Sequence, residues 1–159
     1  MDVAAVLRRL ELERLYADYV QCLDADDLER WPDFFTEDCF YRITSAENFA
    51  AGMPLGLIRA TSRNMLRDRV SALRQANIYE PQRYRHLVSS LRIAGETAAA
   101  LDLEANFLVV RTMQDGAMTV FAAGRYADRV VRADADWLFA RKEVILDSRQ
   151  IDTLLAIPL

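Results

Sequence analysis

The chain has 159 residues, 52% of them hydrophobic and 28% charged, with a net charge of −4. That length suits one folded domain over 1–159, and no apolar run approaches the ~20 residues of a membrane span. The acidic balance argues against a general nucleic-acid binder, and the N-terminus lacks the basic start and apolar core of a secretory signal, so the expected location is the cytoplasm. Cys22 and Cys39 are too few and too far apart for a disulfide framework and read as small buried hydrophobes.

Asp2 is a plausible N-cap, and Leu12, Leu15, Tyr16, Tyr19 and Leu23 recur at helical spacing, which predicts a helix from about Val3 to Cys22 with one face to bury. Asp26 with Glu29 three residues on resembles a capping box and predicts a second, shorter helix through Leu28 and Trp31, bent or restarted at Pro32. Aromatic and β-branched content marks a first strand over Cys39–Thr44. Residues 45–57 read as loop or irregular strand. Ser62 can cap a helix whose narrow apolar stripe is Met65, Leu66, Val70 and Leu73. Its arginines, with Arg59, Arg83, Arg85 and Arg92 nearby, form either a solvated face with local partners or a surface for an acidic protein.

After Pro81 the hydrophobic period changes to two. Leu101, Leu103, Ala105, Phe107 and Val109 alternate with Asp102, Glu104, Asn106, Leu108 and Val110, so one face is apolar throughout and the other only near its end, and Asp115-Gly116 marks a hairpin turn. A strand from Met118 to Val131 follows, with Gly124 as a bulge or bend, then another from Trp137 to Leu146. Helices first and strands later predict an α+β fold, a strongly curved antiparallel sheet around the long N-terminal helix.

The chemistry is bounded by what is missing. With one histidine, His86, the chain cannot on its own hold a Rieske cluster or a two-histidine-one-carboxylate iron site, and it has neither a glycine-rich phosphate loop nor a Gly-x-Ser-x-Gly elbow. Acid–base chemistry remains open. His86 could act as a base with Asp26, Asp38 or Asp128 and with Tyr16, Tyr41 or Tyr126. Against this stands a structural reading, in which His86 is a hydrogen-bonded packing residue. Trp31, Phe34, Phe35, Phe107 and Phe121 likewise read as core before they read as a ligand pocket.

Three stretches carry a family likeness: 31–43 (Trp-Pro-Asp-Phe-Phe-Thr-Glu-Asp-Cys-Phe-Tyr-Arg-Ile), 66–74 (Leu-Arg-Asp-Arg-Val-Ser-Ala-Leu-Arg) and 79–88 (Tyr-Glu-Pro-Gln-Arg-Tyr-Arg-His-Leu-Val). With the C-terminal Arg141-Lys142-Glu143-Val144-Ile145-Leu146-Asp147-Ser148 and Ile157-Pro158-Leu159, they resemble the small (beta) subunit of bacterial aromatic-ring-hydroxylating, Rieske-type dioxygenases. The stretch 68–80 is closest in flavour to complexes acting on terephthalate or salicylate. The resemblance implies a cone-shaped, cystatin-like fold similar to scytalone dehydratase and ketosteroid isomerase, with no catalytic residue, cofactor or metal in this chain. It implies a large (alpha) subunit carrying the Rieske [2Fe-2S] cluster and a mononuclear iron, with NADH as electron source, and three small subunits supporting three large ones in a mixed hexamer. Arg83, Tyr84, Arg85, Leu154, Leu155, Ile157, Pro158 and Leu159 are the expected assembly residues. The rival expectation is a free-standing cone-fold dehydratase or isomerase using His86, Asp26 and Tyr41. A third is a non-enzymatic protein that binds a small apolar ligand.

Overall fold

The computed structural model describes residues 1–76, 79–150, 155 and 157–159. Asp2 caps helix α1 (Val3–Asp24), its carboxylate accepting from the amides of Ala4 and Ala5, and the expected stripe from Leu12 to Leu23 is buried. The predicted second helix is only a 3-10 turn, Trp31–Phe34. Asp26 takes a left-handed φ of 57°, and Asp26 and Glu29 both turn their carboxylates to Arg74 at 2.9 and 2.8 Å. Acids engaged with another helix cannot cap their own.

Strand β1 (Phe35–Ser45) begins earlier than its β-branched residues suggest. Ser45 then caps a short helix α2 (Ala46–Ala50), accepting from the Asn48 amide, and β2 (Ile58–Ala60) follows. Ser62 accepts from the Met65 amide at the start of α3 (Arg63–Ala76). Leu66, Val70 and Leu73 are buried there, whereas Met65 is exposed and takes hydrogen bonds from Thr61 on its sulfur.

The second half is a meander of β3 (Gln82–Glu96), β4 (Ala100–Met113), β5 (Met118–Ala133) and β6 (Asp136–Leu146). Among the described residues the sheet has six strands in the order β2-β1-β6-β5-β4-β3, antiparallel except where β1 lies parallel to β6. That pairing joins segments about a hundred residues apart and puts the meander's last strand in the middle of the sheet. Gly116, at φ 90°, makes the hairpin turn. Gly124 has a different task from the one expected. The β4–β5 register slips beside Phe121, while Gly124 stays paired with Phe107 and Leu146, where an added Cβ would lie 1.9 Å from the Ile145 carbonyl oxygen. The glycine permits a close approach of backbones.

Strand alternation sorts the two faces. Tyr41, Lys142, Val144, Tyr126, Asp128, Leu103 and Phe107 point to the helix-covered side, and Arg141, Arg125, Arg129, Asp102 and Glu104 to the other. Trp31, Tyr19, Tyr41, Phe35 and Phe139 fill the space between α1 and the sheet with edge-on ring contacts, and Tyr126 stacks on Phe107. No helix among the described residues is long and apolar enough to cross a membrane.

Candidate functional site

The single histidine lies where the helical half meets the sheet. β3 is an edge strand, so some of its amides face away from β4. At His86 that amide donates to Asp24 Oδ2 at 2.9 Å, and Asp24 Oδ1 is 2.6 Å from His86 Nδ1. The side chains are 0% and 2% exposed. A carboxylate only accepts, so the pair places the imidazole proton on Nδ1. The last residue of α1 is thereby fastened to the sheet edge through both the backbone and the side chain of one residue. Nε2 is buried without a hydrogen bond among the described residues. A groove of about 610 Å³ runs alongside, lined by Asp24, Pro81, Arg83, Tyr84, Arg85 and Ile157 among others.

The other residues singled out from sequence lie elsewhere. Asp26 binds Arg74 and Asp38 is exposed on β1. Tyr41 donates to the Leu159 main-chain oxygen at 3.0 Å, and burial holds its phenol well above the ordinary value. His86, Asp26 and Tyr41 therefore each have separate partners and do not form one constellation. Of the expected assembly residues, Arg83 and Arg85 are exposed, but Tyr84 is buried. Leu155, Ile157, Pro158 and Leu159, expected at an assembly surface, are also buried within the chain's own fold, and Leu154 lies outside the described residues. The tail is drawn in because its backbone finds partners there: Leu159 oxygen accepts from Tyr19 and Tyr41, and Leu155 oxygen from Arg69.

Asp128 and Tyr16, offered by the sequence as partners of His86, belong instead to a second polar cluster around Lys142, which the sequence reading did not single out. Lys142, the only lysine in the chain, is fully buried on the inner face of β6. Its Nζ donates to Asp128 Oδ2 at 2.9 Å, and Tyr16 donates to the same oxygen at 2.5 Å. Burial pushes the Asp128 carboxyl up and the Lys142 ammonium down, each opposed by the attraction of the other. Burial raises Tyr16 well above its ordinary value, and Asp128 raises it further. Tyr16 is therefore a donor, not a base. The signal for this cluster was parity, since Lys142 shares its face with Val144 and Leu146.

Cys22 and Cys39 are both buried and free, their thiols pushed up to about 11 mainly by burial, which leaves them inert. Among the described residues no group of three or more His, Cys, Asp or Glu side chains is placed to hold a metal ion. With its one histidine bound to Asp24, the chain does not fit either a Rieske cluster or a mononuclear iron.

Residues 19–153 match the family model described as ring hydroxylating beta subunit. The chain belongs to this family. The small subunit of anthranilate 1,2-dioxygenase from Burkholderia cepacia is 45% identical over 149 residues, covering 94% of this chain and 92% of the relative. Subunit beta 1 of the terminal oxygenase component of terephthalate 1,2-dioxygenase from Comamonas sp is 39% identical, covering 97% and 100%. Among solved structures, the beta subunit assigned to an aromatic-ring-hydroxylating dioxygenase of Novosphingobium aromaticivorans superposes with a TM-score of 0.89 at 35% identity, covering 98% and 99% of the two chains. A protein from the same organism assigned as a scytalone dehydratase shares 20% identity and a TM-score of 0.72 over 99% of this chain and 95% of that one. That likeness shows the cone fold alone. The beta-subunit family and the cone-shaped α+β architecture are those implied by the sequence.

Proposed function

We propose that this chain is the non-catalytic beta subunit of an aromatic-ring-hydroxylating dioxygenase, supporting an alpha subunit that carries the Rieske [2Fe-2S] cluster and the mononuclear iron and receives electrons from NADH. The observation that carries the reading is the near full-length match to small subunits of two such enzymes. Those relatives are named for anthranilate and terephthalate, so the substrate class proposed for the complex is a one-ring aromatic carboxylate. Three beta subunits beneath three alpha subunits is the proposed assembly. Arg83 and Arg85, exposed beside the groove at the helix-to-sheet crossing, are the proposed contacts, arginine being a favoured interface residue.

Co-expression with an alpha subunit encoded beside it tests the proposal. The expected result is one large iron-containing assembly on gel filtration. A chain that persistently elutes alone, as a small protein, would overturn it. A dehydratase or isomerase activity of the isolated chain that disappears in His86→Ala would replace it with the enzymatic reading.

A further inference from the structure

The surroundings of Lys142 are those of a binding site for an ammonium ion. Its Nζ lies 3.6 Å from the ring centroid of Tyr126, 4.4 Å from Phe139, 4.6 Å from Tyr19 and 5.0 Å from Tyr16. Four aromatic rings about a cation, with a carboxylate at 2.9 Å, are the elements by which proteins recognise alkylammonium ligands. The rings come from α1 (Tyr16, Tyr19), β5 (Tyr126) and β6 (Phe139), and the acid from β5, so the cage is built by the fold and not by one local segment. Tyr19 and Tyr16 meet Phe139 edge-on at 5.4 and 5.6 Å, which holds the walls without the lysine's help.

We infer that the interior of this cone is an ammonium-binding cage whose resident ligand is the chain's own Lys142. The site takes a primary alkylammonium ion with a three-carbon tail, because the lysine side chain beyond Cβ is an n-propylammonium group. A lysine built into the sheet occupies the interior permanently, so the space that could receive a substrate is closed by a covalently attached ligand. The inference stands on the geometry of the interior and does not require the beta-subunit assignment.

The test is to remove the ligand and offer it back. Lys142→Ala in the full chain should unfold at a lower temperature than the wild type. n-Propylammonium chloride should raise its unfolding midpoint by about 4 °C at ten times the dissociation constant, beyond sodium chloride of equal ionic strength. The wild type, whose cage is filled, should respond to the two salts alike, and 1-propanol, the neutral analogue, should not reproduce the rise in the variant. Where the variant has no cooperative transition by itself, recovery of one in n-propylammonium is the same positive result. A variant that responds equally to sodium chloride, responds as well to 1-propanol, or recovers no transition would overturn the inference.

Discussion

Asp128 and Arg129 are neighbours on β5 and point to opposite faces of one sheet. Each is in an ion pair, 2.9 Å to Lys142 and 2.7 Å to Asp102, and nothing in the bond lengths tells the pairs apart. The surroundings do. Both members of the inner pair are fully buried, while the outer pair is 52% and 42% exposed. In water the attraction of such charges is nearly cancelled by solvent and by the entropy of holding two long side chains. In the interior neither partner can be solvated alone, so each is indispensable to the other even where the pair adds little net stability. What separates these two pairs is therefore their surroundings and not their length.

Breaking one partner on each face tests that contrast. Asp128→Ala should have the largest effect, about 4 kcal/mol of lost stability by urea unfolding, because it leaves a buried ammonium unpaired. A loss below about 1 kcal/mol would show that the interior tolerates an unpaired lysine and would erase the contrast. Glu143→Ala comes next. Glu143 is almost wholly buried on the outer face, grips Arg42 by both oxygens at 2.7 and 3.0 Å, and should cost about 2 kcal/mol in the same assay. Its intermediate rank would sharpen the rule into one of burial, not of face. Asp24→Asn should cost about 1 kcal/mol, since the amide retains one acceptor for the His86 backbone, and hydrogen exchange at the His86 amide should accelerate more than at Tyr126. Arg129→Ala should leave the urea midpoint indistinguishable from wild type.

Acid should produce the smallest graded effect. Asp102 and Glu29 are held below the ordinary carboxylate range, chiefly by hydrogen bonds from Arg129 and Arg74. Each binds fewer protons in the folded chain than in the unfolded one below about pH 4. Their contribution is complete above that pH and is lost as pH falls through the folded values. Asp102→Asn should flatten the slope of stability against pH below about 4 by a small amount, because the pair is exposed and screened. An unchanged slope would mean that Arg129 gives Asp102 no preference in the folded chain.

Much of the frame was legible in local chemistry. Alternation from Leu101 to Val109, the Asp115-Gly116 turn, and the caps at Asp2 and Ser62 depend on neighbours in sequence, and the structure shows each. What was not legible depends on distant partners. The Asp26–Glu29 pattern reads as a cap until Arg74 arrives to claim both acids. His86 reads as a base in search of an acid, and its acid is Asp24, 62 residues away at the end of α1. In Arg141-Lys142-Glu143 all three residues look like surface; parity with Val144 and Leu146 is the one local hint that Lys142 turns inward, and pairing with β1 and β5 supplies the partners that hold it there. The buried tail was missed because apolar residues near a terminus carry no signal of the tyrosines waiting for their carbonyls.

The placement of Lys142 also governs how this protein can be handled. With nineteen arginines and a single lysine, the folded chain presents no lysine amine to solvent. Amine-directed dyes, biotin esters and cross-linkers will leave its side chains untouched while the sheet is closed. Modification of Lys142, read by mass spectrometry over time, becomes a clock for how often the core opens.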